Sequence, residues 1–308
     1  MTSLPRVPRP QPTRKRLMAA AVALSAGAAI AAAPELTPAG APARDQVFDQ
    51  IVATELALGS DAWRAQKLAQ SSRHHAMVTI PGAGHALEAF LVYPDTKDRV
   101  PLVMMIPEDQ GLNNWARNMA DEIAAMGYVV VVPDLLSGLG PDGGGRGSFP
   151  DIRSVIKAHS ALTSNEAAMT AQLNSWADYA KKLAQVNGKF AVVGFAWGGG
   201  RAFWLATQRK DLNAAFIFYD VAPPAEALAG VTAIVHGFYA DIDPRVTKSL
   251  AGTKTAMAAA GKQYDAVVYP GSEHMFVRLG DEPGNSNPAN IEARALAMAR
   301  LQQLLKSM

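Results

Sequence analysis

From residue 102 onward the chain alternates short apolar runs with longer stretches of helical periodicity. The runs at 102–106, 128–132, 190–193, 215–219, 232–236 and 266–269 string together Val, Ile, Leu, Met and Phe, as strands buried on both faces do. Between and after them, 114–126, 164–186, 199–209, 245–260 and 288–306 read as helices. Such alternation predicts a mostly parallel sheet with helices on both faces. Ahead of this rhythm, 76–80 and 87–93 flank Pro81-Gly82-Ala83-Gly84 and read as an antiparallel hairpin. Residues 45–71 are more polar, with Val47, Ile51, Leu56 and Leu58 forming a modest apolar face, and predict a helical extension packed on the domain.

The first residues follow another logic. Arg6, Arg9, Arg14, Lys15 and Arg16 precede a small-residue apolar run that closes on Ala31-Ala32-Ala33 before Pro34. A basic segment, an apolar segment and A-x-A together read as a bacterial export leader over 1–33. A second A-x-A, Ala41-Pro42-Ala43, allows cleavage as late as 43, and Arg14-Lys15-Arg16 is not a clean twin-arginine pair. Residues 34–75 then form a spacer and the helical extension, and 76–308 form one α/β domain.

Composition sharpens this. The 308 residues are 49% hydrophobic and 18% charged, enough to bury a sizeable core. Of 29 basic and 27 acidic residues, the leader holds five basic and no acidic ones, which leaves a mature net charge of −3. That balance speaks against nucleic acid as a partner. No other apolar run is long enough to span a bilayer, so the expectation is a periplasmic or secreted protein without a membrane partner after leader cleavage. The chain has no cysteine, which excludes disulfides, thiolate metal sites and a cysteine nucleophile.

The chemistry gathers around Gly194-Phe195-Ala196-Trp197-Gly198-Gly199-Gly200, which follows the apolar run 190–193 and opens a helix. In G-x-Nuc-x-G the central residue sits on a strained strand-to-helix turn, the glycines permit close approach, and the next N–H joins an oxyanion hole. Here the central residue is Ala196, which has no lone pair. Asp243 follows the next-but-one apolar run and His274 the one after. Nucleophile position, acid, histidine is the chain order of α/β-hydrolases, and a histidine just past a parallel strand stands where such enzymes hold their general base. His236 falls inside a strand and reads as a core residue. His74, His75, His85 and His159 have no spacing that recommends a metal site. The glycine-rich segment 138–147 lacks a Walker lysine and G-x-G-x-x-G spacing, and reads as a flexible surface loop.

With these residues assembled, the sequence over roughly 76–306 resembles the dienelactone hydrolase (carboxymethylenebutenolidase) family of the α/β-hydrolase superfamily. Four blocks carry the resemblance: Pro107-Glu108-Asp109-Gln110-Gly111-Leu112-Asn113; Gly127-Tyr128 through Pro133-Asp134-Leu135; the elbow Gly194 to Gly199, where the family has G-x-C-x-G-G; and the Asp243 and His274 segments. The resemblance implies an α/β-hydrolase fold and acyl-transfer chemistry on a small ester or lactone, without metal or organic cofactor. It implies that Asp243 orients His274, that His274 is the base, and that Glu108 interacts with the nucleophile's resting state. It further implies an oxyanion hole from the N–H groups of Asp109 and Trp197, and a pairing of Arg278 with a substrate carboxylate. For a second substrate-binding arginine, Arg146 and Arg153 are both candidates.

Ala196 stands where the family has cysteine, and three readings of it stay open: artificial inactivation, a non-catalytic binder of a small carboxylated ligand, and hydrolysis with His274 activating water. A dinucleotide-dependent oxidoreductase is a weaker alternative, because Pro107-Glu108-Asp109-Gln110 is not a glycine fingerprint.

Overall fold

The apolar runs of the second half are long enough to cross a sheet once and too uniformly apolar to leave a face in water, so they must lie between two helical layers. The computed structural model describes residues 62–308. The expected leader (1–33, with cleavage as late as 43) and residues 34–61 of the spacer and extension lie outside the described residues. In chain order the elements are α1 (Ala62–Ala69), β1 (His74–Pro81), β2 (Ala86–Tyr93), β3 (Val100–Ile106), α2 (Asn114–Ala125), β4 (Val129–Asp134), α3 (Ile152–Thr163) and α4 (Glu166–Ala180). They continue with β5 (Val186–Phe195), α5 (Trp197–Gln208), β6 (Ala214–Phe218), β7 (Ile234–Ile242), α6 (Pro244–Ala259), β8 (Tyr264–Glu273), α7 (Phe276–Leu279) and α8 (Pro288–Lys306).

The eight strands form one sheet in the order β1-β2-β4-β3-β5-β6-β7-β8. The expected hairpin is there: β1 pairs antiparallel with β2, which pairs antiparallel with β4, and every later pairing is parallel. This is an α/β-hydrolase fold. Side-chain alternation splits the core into two layers. Leu102, Met104, Val131 and Val192 face Trp176 and Phe203 on one side, while Val103, Met105, Val130 and Val193 face Trp115, Ile123 and Leu301 on the other.

The structure departs from the sequence reading in three places that matter for the site. The run expected at 232–236 starts two residues later and continues to Ile242, which carries the chain directly to Asp243. The helix expected over 164–186 is α4, which ends at Ala180, and a further helix that the sequence reading did not foresee, α3, precedes it over Ile152–Thr163. Asp151 caps α3 by accepting from the Ser154 N–H at 2.8 Å, and Asn165 caps α4 by accepting from the Ala168 N–H at 3.1 Å. The glycine-rich segment 138–147 is not an open loop. It holds a 3₁₀ turn at Pro141–Gly143, leads into another at Arg146–Ser148, and buries Gly145.

Candidate active site

A residue at the C-terminal end of a parallel strand is delivered to one edge of the sheet, and the chain uses this repeatedly. Glu108 lies two residues past β3, Ala196 follows β5, Tyr219 follows β6, Asp243 follows β7 and His274 follows β8. Since β3, β5, β6, β7 and β8 are successive parallel neighbours, all five residues come to the same edge.

The elbow has the geometry that its glycines require. Ala196 is held at φ 47°, ψ −126°, a region an alanine adopts only when its surroundings enforce it. Its N–H donates to the Phe218 carbonyl at 3.1 Å, and its own carbonyl accepts from the Gly199 N–H at 2.7 Å. A Cβ on Gly194 would collide with the Gly198 carbonyl, and one on Gly198 would collide with the carbonyls of Ile106 and Pro107. The elbow is therefore wedged against the end of β3, which brings the 108–109 peptide alongside it. Trp197 is the first residue of α5, so its N–H has no intrahelical acceptor. Asp109 sits exposed on the turn just beyond β3.

Asp243 does two jobs. It caps α6, accepting from the Val246 N–H at 3.4 Å, and its Oδ2 lies 2.7 Å from His274 Nδ1. Asp243 is buried, whereas the His274 side chain is 37% exposed. With Nδ1–H donating to the carboxylate, the imidazole lone pair is on Nε2, free to take a proton from a partner in the cleft.

Glu108 is buried. Its Oε1 accepts from the Tyr219 hydroxyl at 3.4 Å, and its Oε2 lies 3.2 Å from Arg278 Nη1. Burial pushes its carboxyl up to about 7, against the pull of the Arg278 guanidinium. Arg278, expected to meet a substrate carboxylate, is thus occupied by Glu108, with Glu282 3.7 Å from its Nε. Arg146 donates from Nε to the Gln110 carbonyl at 2.9 Å, and Arg153 is exposed in the first turn of α3.

Two residues join the site that the sequence reading did not assign to it. Tyr219 packs edge-on against His274 with ring centroids 5.3 Å apart; its only sequence signal is a polar tip ending an apolar run. His159 reaches in from α3, with its ring 4.3 Å from that of Trp197, and burial holds its imidazole below the ordinary value. Nothing in its spacing pointed there. His236 is buried in a strand and stacks on Phe216, as expected of a core residue. Among the described residues, no group of three or more His, Cys, Asp or Glu is gathered as a metal site.

Comparison with known proteins supplies the family. Residues 87–308 match the model of the dienelactone hydrolase family. A Salmonella typhi protein named as a carboxymethylenebutenolidase is 25% identical over 213 residues, covering 65% of this chain and 77% of its own length. A Bradyrhizobium protein named as a 2-oxo-3-(5-oxofuran-2-ylidene)propanoate lactonase is 25% identical over 213 residues, covering 65% and 82%. Among solved structures, a dienelactone hydrolase from Klebsiella pneumoniae superposes with a TM-score of 0.66 at 21% identity, covering 77% of this chain and all of its own.

Proposed function

The chain belongs to the dienelactone hydrolase family, and from that premise we propose that it is an exported hydrolase of small esters or lactones in which His274 delivers water to the carbonyl carbon. The observation that carries this reading is the 2.7 Å contact of His274 Nδ1 with Asp243 Oδ2, at the sheet edge where the strained elbow also sits.

Ala196 offers no atom to form an acyl-enzyme, so the attacking group has to come from outside the chain. Water in the space above Ala196 passes a proton to His274 Nε2 as its oxygen bonds to the carbonyl carbon. Asp243 stabilises the imidazolium that forms. The oxyanion is met by the N–H groups of Asp109 and Trp197. The bond to the alkoxy oxygen then breaks, and Nε2 returns the proton to that oxygen. An ester yields an acid and an alcohol, and a lactone yields one hydroxy acid. For a carboxylated substrate, Arg278 exchanges Glu108 for the substrate, an exchange eased because a buried Glu108 favours its neutral form.

The second reading, a binder of a small carboxylated ligand in the same cleft, is favoured by one observation: position 196 carries no nucleophile. Turnover separates the two. The unmodified chain should hydrolyse p-nitrophenyl acetate above background, and His274→Ala should abolish the excess. Hydrolysis no faster than buffer, with a carboxylated ester retained unchanged, would decide for the binder.

A further inference from the structure

The glycine-rich segment 138–147 takes no part in the reaction just described, yet its Arg146 is tied by its backbone to the end of β4 and by its side chain to the turn that carries Asp109. β4 ends on Asp134, which is buried. Its Oδ2 accepts from the Arg146 N–H at 2.6 Å, and its Oδ1 accepts from the Leu136 N–H at 3.1 Å. Gly145 lies directly against this carboxylate. A Cβ there would collide with Asp134 Oδ2 and stand 2.8 Å from Glu88 Oε2, so only glycine lets the next N–H reach Asp134. The backbone at 146 is therefore fixed to the end of a central strand.

From that anchored backbone the Arg146 side chain crosses to the turn after β3, where Nε donates to the Gln110 carbonyl at 2.9 Å. The side chain also closes over Gly111. That residue has φ +70°, and a Cβ on it would lie 3.7 Å from Arg146 Cδ. The turn is closed internally by the Gly111 N–H donating to the Glu108 carbonyl at 2.9 Å. On its other flank, Asn113 Nδ2 donates to Gln110 Oε1 at 3.3 Å. Gln110 is thus gripped through its backbone by Arg146 and through its side chain by Asn113, and the residue between Glu108 and Gln110 is Asp109.

In a turn this short, one peptide cannot rotate without moving its neighbours, so a grip on the Gln110 carbonyl also limits the orientation of the Asp109 N–H. We propose that Arg146 is a positioning residue of the oxyanion hole: anchored on Asp134 and acting through Gln110, it holds the Asp109 N–H toward the carbonyl oxygen of the substrate. This rests on the hydrolase reading for what the hole does, and on the observed bonds alone for the grip. It also assigns the arginine, one of two substrate-binding candidates in the sequence, to the protein's own backbone.

Two measurements test it, one of them independent of turnover. In the full chain, Arg146→Met keeps the stem and removes the guanidinium. Amide hydrogen exchange at 109–113 should accelerate on the order of tenfold, with Arg146→Lys intermediate and the amides of β5 unchanged. In an Ala196→Cys background, Arg146→Met should lower kcat for p-nitrophenyl acetate by about ten- to a hundredfold and leave KM within about twofold, because misplacing an oxyanion donor affects the transition state and not the bound ester. Unchanged exchange would overturn the grip. Accelerated exchange with kcat unchanged, or with the loss carried by KM, would overturn the positioning role. An Ala196→Cys chain without turnover would count against the hydrolase reading, and the exchange result alone would then decide whether Arg146 holds the turn.

Discussion

Arg278 Nη1 lies 3.2 Å from Glu108 Oε2, so the cation expected to meet a substrate's carboxylate is occupied by one of the protein's own. Glu108 is buried and also touches the Tyr219 hydroxyl, with Asp109 adding a like charge nearby. The folded-state value of about 7 stands above the ordinary 4.5. A carboxyl raised by folding contributes stability that is complete below its unfolded value and is lost as pH rises through the folded one.

Glu108 should therefore withdraw its contribution to stability between about pH 4.5 and pH 7. Denaturant midpoints of the parent and Glu108→Gln, measured at pH 5 and pH 8, check this. The variant should lose less stability than the parent between the two pH values. Parallel pH curves would show that Glu108 does not titrate in this window.

The elbow glycines make a second prediction. Gly198→Ala puts a Cβ into the carbonyls of Ile106 and Pro107, and overpacking against backbone costs about 1–3 kcal/mol or more. Gly252→Ala serves as the control: it lies exposed within α6 with nothing within 4 Å of the new Cβ, and should stabilise by about 0.5–1 kcal/mol. Urea unfolding of both variants is the check, and opposite signs are expected.

How much of this the sequence reveals depends on what each element is for. The strands are legible because the stretches 102–106, 129–132, 190–193 and 214–218 of β3, β4, β5 and β6 are buried on both faces and apolar. Ala196, Asp243 and His274 are legible because a strand-end position and a chain order mark them. By contrast, α3 packs only one edge of the helical stripe formed by Ile152, Val155, Ile156 and Leu162: Val155 and Leu162 are buried, while Ile152 and Ile156 stay 44% and 51% exposed. The glycines of 138–147 announce a loop by composition, whereas Gly145 is needed for a close approach to Asp134, at the end of the strand that leads into the segment. Tyr219 shares the strand-end position, but nothing in its residue type marks it as part of the site, and His159 enters through tertiary packing alone.

Asp243 gives a third prediction, because its two roles separate. Asp243→Asn keeps a side-chain oxygen for the α6 cap and should change stability by less than about 1 kcal/mol. It removes the charge that orients and supports a protonated His274, and the wrong imidazole tautomer costs roughly 10⁴ in rate in a comparable triad. Thermal unfolding alongside ester hydrolysis in an Ala196→Cys background should show near-normal stability with hydrolysis lowered by several orders of magnitude.

Export is the fourth. The basic residues Arg6 to Arg16, the apolar run to Ala33 and two A-x-A sites lead us to propose a mature chain that begins after Ala33 or Ala43. Mass spectrometry of the N-terminal peptide from a periplasmic or culture fraction should find one of these starts. Exported material that retains Met1 to Ala33 would contradict it.

The central claim is that Ala196, His274 and Asp243 form a hydrolase frame that lacks only its nucleophile. Its most direct test is the rate of p-nitrophenyl acetate hydrolysis in the parent, Ala196→Cys and Ala196→Cys/His274→Ala. Loss of a triad nucleophile removes several orders of magnitude while the oxyanion hole survives, so a thiol at the elbow should raise the parent's small rate by at least about a hundredfold, and loss of His274 should cancel the gain. No increase with cysteine, or an increase that persists without His274, would contradict the account.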